Sequence, residues 1–421
     1  MWLSRSRLPF GSPVFYGWVM VLVSSLVIFF SGPGQTYSVS VFIDSYINEY
    51  GWSRSVVSGM YSVGTFCAGM LMGFVGRLID RYGHRRVTVA VSLLFGLACV
   101  WMSVVASVPM LLVGFFLVRL LGQGSMSLSS TTLPPQWFIK KRGVALSIVS
   151  VGGGLSLALL PPLNTWIIQN YGWRMCWWTW AALLWVVMAP LGYLLIRDKP
   201  EEVGLLPDNE EAPRITGGED AAVDDSWTLQ EAVRTRAFWC IIYTTVVPSA
   251  IITGLVFHQI SILAGAGLDP GTAALVSSLM SVVRLPVALL AGPVADRVQL
   301  RYLVAFSQTL MFGSMAALYL ADSVTLVMVY GVLVGVQMAL QGIVGGVIWP
   351  DYYGRRHLST IRGVTMMAGV IGSALGPLPY GVAYDVFGGY GEALLASIAF
   401  PVLGVLAGLL AVKPKKPEPV L

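Results

Sequence analysis

Apolar residues in this chain run in long stretches, and the charges gather between the stretches rather than within them. Roughly 20 apolar residues carry a helix across the ~30 Å hydrocarbon core of a bilayer. On that ruler about twelve stretches qualify: 15–43, 54–76, 87–107, 109–137, 142–165, 172–196, 237–265, 270–294, 301–320, 324–349, 362–386 and 391–412. The pattern predicts an all-α membrane protein of twelve transmembrane helices. Composition agrees, since 56% of the 421 residues are hydrophobic and only 11% are charged, outside the range of soluble domains.

Cytoplasmic loops collect lysine and arginine, so the charges test this count. With both termini inside, 22 of the 26 basic residues fall on the inner side; Arg54 and Arg174 fall outside, and only Arg119 and Arg284 remain within spans. The expected location is therefore the inner (plasma) membrane, crossed many times, with the lipid bilayer as the main partner. The net charge of +5 is a topology signal and gives no reason to expect nucleic acid. Cys67, Cys99, Cys176 and Cys240 lie in apolar spans without paired spacing, so neither disulfides nor a metal site is expected, and no cofactor motif is present. The first apolar run is too long for a cleavable signal peptide and lacks a small-residue cleavage pattern.

Residues 197–227 break the pattern with an acidic, Pro/Gly-rich stretch. It reads as a cytoplasmic linker, 197–236, between two six-helix halves, 1–196 and 237–421. Thr228 and Glu231 near its end form a capping-box pattern for a short surface helix. The halves repeat. "GRLIDRYGHRR" (76–86) follows span two and "GPVADRVQLR" (292–301) follows span eight, pairing Gly76 with Gly292, Asp80 with Asp296, Arg81 with Arg297 and Arg85 with Arg301 at an offset of 216. Pro135 and Pro350, after spans four and ten, repeat at 215. Pseudo-symmetric halves of this kind are one transporter architecture.

The first of these loops resembles the signature loop of the major facilitator superfamily, with a degenerate copy in the second half, and the resemblance extends over the whole chain. Within it, "FYGWVM" (15–20), "WFIKKRGVALSIVSVGGG" (137–154) and "KPEEVGLLPD" (199–208) are similar to motifs of monocarboxylate porters and their bacterial oxalate/formate-exchanger relatives. The resemblance implies a secondary transporter working by alternating access.

Asp80 and Asp296 are each placed to meet the positive N-terminus of a neighbouring helix and to pair with loop arginines such as Arg81 and Arg297. They are gating candidates; the alternative is that the loops fix only topology. Small residues recur every four positions at Thr65, Gly69 and Gly73, at Ser150, Gly154 and Ala158, at Ala288 and Gly292, and at Ala368, Gly372 and Gly376. Such faces allow close helix approach, either as static packing or, as the resemblance implies for spans two, five, eight and eleven, as a sliding seam between halves.

Arg284 sits near the centre of "LVSSLMSVVRLPVALLAG" (275–292). A central arginine costs about 2.5–3.5 kcal/mol on insertion scales and normally faces a bundle interior or an aqueous cavity. None of the 21 acidic residues lies mid-membrane in the predicted spans, so the expected counter-ion is the substrate, whose carboxylate fits the planar guanidinium fork. Monocarboxylate porters resemble this chain in having an arginine in span eight. Their eukaryotic members carry an aspartate four residues earlier, where this chain has Met280, and a lysine in span one, where it has none. The exchanger pattern adds a cation in span eleven, and residues 363–384 have none, so one charge suits a monoanion.

Arg119, in "VRLLGQG", is either a second anion contact or an interhelical tie. "SGPGQTY" (31–37) breaks span one and brings Ser31, Gln35 and Tyr37 into the list of possible substrate contacts. Gln337, Ser373 and Tyr380 join it as polar tips, or else serve packing. His258, the one histidine expected within a span, is the proton-coupling candidate. The expectation is a monomeric carrier of a small monocarboxylate such as lactate, pyruvate or acetate together with a proton. An organic-anion or dicarboxylate exchanger is the alternative. The chain lacks Walker, His-Glu-x-x-His and Gly-x-Ser-x-Gly patterns, which argues against an enzyme, and it lacks the large soluble output domain of a sensor.

Overall fold

The computed structural model describes residues 15–209, 226–265, 267–268 and 270–416, and it is almost entirely helical. Residues 1–14, with Arg5 and Arg7, the linker stretch 210–225, with Arg214, and residues 417–421 lie outside the described residues. Eleven helices among those described are long and apolar enough to cross a membrane: Gly17–Gly34, His84–Ser103, Val108–Trp137, Arg142–Tyr171, Trp173–Leu195, Arg236–Gln259, Leu275–Ala295, Leu300–Tyr319, Val324–Tyr353, Leu358–Phe387 and Gly391–Leu410. The twelfth, span two, is a pair, Val56–Met70 and Met72–Tyr82, bent by 43°. The protein is thus an all-α membrane protein of twelve spans in two six-helix halves.

Span one departs from its predicted length. Regular helix ends at Phe30, a tight turn occupies Gly32–Gly34, and Gln35 is extended (ψ 153°) before helix resumes at Thr36. The cause is Pro33, which has no N–H to return to the carbonyl of Phe29. The Ser156 hydroxyl supplies the missing donor at 2.9 Å. Span seven carries the same device at the same place in the repeat: Pro248 follows Pro33 by 215 residues, inside the helix Arg236–Gly265. The carbonyl it frees, on Thr244, accepts from Gln308 Nε2 (3.1 Å) and Gln341 Nε2 (3.4 Å).

The chain forms two compact units. One comprises Met1–Ser226 with Gly354–Met366, and the other Trp227–Tyr353 with Met367–Leu421. The first is built on Phe42, Tyr46, Phe95, Phe115, Trp137, Trp177 and Trp180, all fully buried. The start of the linker folds onto this unit: Asp208 accepts from the backbone N–H groups of Ile139 and Lys140, both at 2.8 Å, and Glu201 pairs with Arg355 at 2.9 Å. At another corner Glu49 takes a two-pronged contact from Arg174 (2.6 and 2.9 Å), which holds its carboxyl below the usual range. The second unit packs around Leu255, Val276, Met311, Met315, Tyr330 and Val334. Its first turn is Leu229–Ala232, closed by the Thr228–Glu231 capping box. Large apolar side chains such as Phe74, Val186, Phe257 and Leu290 stand exposed, as suits helices solvated by lipid.

Several small residues do bring backbones together. Gly372 and Gly376 of span eleven lie against the carbonyls of Val246 and Ala250 in span seven. In span five the close contact is made by Gly152, against Ser25 of span one, two positions from the expected Gly154. A Cβ at Gly376 would collide with backbone that cannot swing aside. Overpacking of this kind costs about 1–3 kcal/mol. Gly376→Val is therefore expected to lower the thermal unfolding midpoint in detergent by several degrees, measured by size-exclusion after heating, whereas Gly381→Val, where the added carbon meets open space, leaves it unchanged.

Candidate substrate site and inner latch

In the first unit the break in span one gathers a polar cluster. Gly34 lies so close to Val118 and Gly122 of span four that no side chain fits there. Its free carbonyl accepts from Arg119 Nη1 at 3.0 Å, and the same amine reaches Thr36 Oγ1 at 3.3 Å. Arg119 Nε donates to Thr65 Oγ1 at 3.0 Å, and the guanidinium carbon stands 5.0 Å from the Tyr61 ring centroid. Arg119 opens a π-helical stretch, Arg119–Met126, whose wider turn reorients the residues around it. It is 4% exposed and is held by neutral oxygens and an aromatic face, with no carboxylate partner among the described residues. Nη2 makes no hydrogen bond among them. Both readings of Arg119 therefore find a physical basis: two of its nitrogens tie spans one, two and four, and the third remains available.

Ser31 and Gln35 belong to this cluster. Gln35 Nε2 donates to Ser31 Oγ (3.1 Å) and to Ser127 Oγ (3.2 Å). Tyr37 turns to span five, where its hydroxyl donates to Ser156 Oγ at 2.8 Å. It thereby extends the chain that serves the carbonyl freed by Pro33.

In the second unit Arg284 occupies the middle of the helix Pro270–Ala295, with its side chain exposed rather than packed in the unit's interior. Met280, one turn earlier, is buried, and its backbone meets Gly335 of span ten. Gln337 has no exposed surface and donates to Gln341, so in this conformation it plays the packing part. Tyr380 is 2% exposed and does likewise, its hydroxyl donating to Ser397 Oγ at 3.2 Å. Ser373 is half-buried, its hydroxyl 3.1 Å from Thr253 Oγ1. His258 bridges three spans, with Nε2 3.2 Å from the Pro377 carbonyl and Nδ1 3.3 Å from the Tyr390 hydroxyl. The carbonyl contact requires a proton on Nε2.

Sequence reading missed a second polar group in this unit. Thr244, Thr245, Ser307, Gln308 and Gln341 line a small cleft between spans seven, nine and ten. The signal that would have found it is Pro248, since its place in the repeat announces a carbonyl needing donors.

The signature loop after span two is tied to the start of span eleven within the first unit. Gly83 takes the left-handed region (φ 84°) that this turn needs. Asp80 spends both oxygens on the start of the helix Leu358–Leu375: Oδ1 accepts from Ser359 N at 3.0 Å, and Oδ2 from Thr360 N at 2.7 Å and Thr360 Oγ1 at 2.6 Å. This is a carboxylate at a helix N-terminus, with no arginine partner among the described residues. Gly76, one turn earlier, lets the two backbones touch at Ser359. In the repeat, Asp296 is half-buried just beyond Ala295, with Arg297 exposed beside it; Arg81 is exposed as well.

With the fold and these groups in hand, comparison with known proteins is decisive about the family. The sequence pattern of the Major Facilitator Superfamily matches residues 24–266 and 249–421. The chain belongs to that superfamily. It is a transporter and not an enzyme. Relatives include rat monocarboxylate transporter 13, 24% identical over 399 residues that cover 92% of this chain and 87% of the relative. An uncharacterised transporter of this superfamily in Escherichia coli K12, YhjX, is 22% identical over 368 residues, 85% of each chain. Mouse monocarboxylate transporter 14 is 25% identical over 47% of this chain, and only 38% of its own length is covered; for the human protein of that name the share is 31%. Among solved structures, the human organic anion transporter MFSD10 superposes with a TM-score of 0.68 at 14% identity, covering 94% of this chain and 100% of that one. A double-tryptophan mutant of XylE gives 0.70 at 16% identity over 95% and 97%. These superpositions establish the fold.

Removing the charge of Asp80 keeps its shape and weakens the latch. Asp80→Asn is expected to cost about 1–2 kcal/mol at the start of span eleven, as lost caps do. Amide hydrogen exchange at Ser359 and Thr360 should then quicken severalfold while the His84–Ser103 core stays protected; unchanged exchange at these two amides would rule the latch out.

Proposed function

We propose that this carrier moves small monocarboxylates, of the size of lactate, pyruvate or acetate, together with a proton, and that Arg284 is the carboxylate anchor. The observation that carries the proposal is the placement of Arg284. A guanidinium halfway along a membrane-crossing helix, on a side not enclosed by its own unit, is an expensive feature that membrane proteins keep for substrate and ion pathways. Its fork matches a carboxylate. The relatives named monocarboxylate transporters support the choice of substrate, and XylE, a proton:xylose symporter of the same fold, supports a proton as the partner ion. Arg119 Nη2 is the second candidate contact, with Gln35 and Ser31 behind it, and Ser373 is the half-buried hydroxyl of the second unit. Asp80 serves as the inner latch of alternating access, with Asp296 as its repeat counterpart.

Two outcomes test the proposal. Arg284→Ala should abolish binding of lactate or pyruvate by calorimetry, and Arg284→Lys should lose at least tenfold in affinity, because an ammonium keeps the charge but not the two-pronged contact. Wild-type affinity in Arg284→Ala would place the anchor elsewhere. His258→Gln should remove the acceleration of uptake by outside acid in proteoliposomes while leaving exchange of labelled for unlabelled substrate intact; persistence of the acid effect would clear His258 of the proton role.

A further inference from the structure

Besides the half-buried His258, the described residues include a fully buried histidine, and it stands beside Asp80. His84 opens span three directly after Gly83 and is 4% exposed. Its Nε2 lies 3.0 Å from Thr132 Oγ1 of span four. That hydroxyl donates to the Leu128 carbonyl at 2.7 Å, so its single proton is committed and the ring nitrogen is the donor. His84 thus carries a proton on Nε2, and a second proton would bind at Nδ1.

Three charged groups act on that ring. Asp80 comes from the preceding helix, and Asp198 and Lys199 come from the chain leaving span six; span four contributes only the Thr132 hydroxyl. Each aspartate already has work. Asp80 holds the first turn of span eleven, and Asp198 Oδ1 accepts from Arg85 N at 2.8 Å while its carboxylate crowds Gly83.

The internal repeat shows that packing alone does not ask for a histidine. The equivalent position, 216 residues on, is Leu300, also the first residue of a 20-residue helix and also buried, at 6%. An apolar side chain fills the place in the second half. In the first half the same place holds the side chain whose charge changes nearest neutrality.

We propose that His84 is a cytoplasmic pH sensor that releases the Asp80 latch. A proton arriving from the inside at Nδ1 makes the ring a buried cation among Asp80, Asp198 and Lys199. Asp80 is then drawn between that cation and the amides of Ser359 and Thr360, and its hold on the start of span eleven weakens. Internal acid thus favours release of the latch and internal alkali favours its closure. A carrier that co-transports acid equivalents would in this way respond to the acid it has to handle. The sensor rests on Asp80 as latch but not on the identity of the substrate.

The test uses the full-length protein in lipid nanodiscs without substrate, so that it stays independent of the monocarboxylate reading. Spin labels at Tyr82→Cys and Arg356→Cys, both exposed positions of the first unit, are introduced after the native cysteines are replaced. Between about pH 8 and about pH 4.5, an interval extended below the ordinary imidazole because burial disfavours a charged ring, the longer-distance population is expected to grow severalfold along a single titration. His84→Leu, which installs the residue the repeat already uses, should keep the alkaline distance distribution and lose the titration. His84→Gln should do the same while preserving a donor to Thr132. His357 is the neighbouring histidine on the span-eleven side, and His357→Asn should leave the titration in place. A titration that survives both His84 variants, or moves with His357→Asn, overturns the proposal, as does a wild-type distribution that ignores pH. Loss of carboxylate binding in Arg284→Ala would leave this titration unchanged, which keeps the two readings separable.

Discussion

In hydrocarbon every backbone carbonyl must find a donor within the protein, and the interior of this molecule is arranged around the places where helix fails to provide one. Pro33 and Pro248 each remove a donor at matching positions of the two halves. Around Phe29 the deficit is met by Ser156, with Tyr37 bonded behind it. Around Thr244 it is met by two glutamine amides from spans nine and ten. The break in span one also exposes the carbonyl of Gly34, and Arg119 satisfies it. Polar side chains deep in a membrane protein invite a ligand, yet several of these are present because the backbone needs them.

The same constraint separates the two intramembrane arginines. Arg119 is enclosed by its own unit and spends two of its nitrogens on oxygens of spans one and two, so its first role is to hold a broken helix in shape. Arg284 lies on an apolar helix that carries Pro286 two residues further on, and on a side its unit does not enclose. A cation there suits an anion that comes and goes.

Helix termini concentrate the remaining electrostatics. Residues 354–366 fold with the first unit, and their anchor is a carboxylate set against the dipole of a helix that runs on into the second. Such a contact depends on one negative charge and on close backbone approach at Gly76. His84, the proposed sensor, directly follows the Gly83 turn at the end of the helix that carries Asp80.

The sequence by itself determined the helices, their number, the duplicated halves and the signature loop, because hydrophobic length and charge placement are local properties that the bilayer enforces segment by segment. It also singled out Arg284 and Arg119, since a charge inside a span is conspicuous without any structure. It could not decide what each polar residue does. Whether Tyr37, Gln337 or Tyr380 faces a ligand or a neighbouring helix depends on rotation about the helix axis, and that is fixed by packing partners more than a hundred residues away, or by a turn of helix too short to show in the pattern. The cluster of Thr244, Gln308 and Gln341 stayed hidden because its members come from three spans and meet only at a carbonyl that the sequence does not display. Close approach at Gly152 rather than Gly154, and the reach of Asp80 to Ser359 and Thr360, were likewise settled by tertiary structure, where backbones and helix ends distant in the chain compete for the same few donors and acceptors.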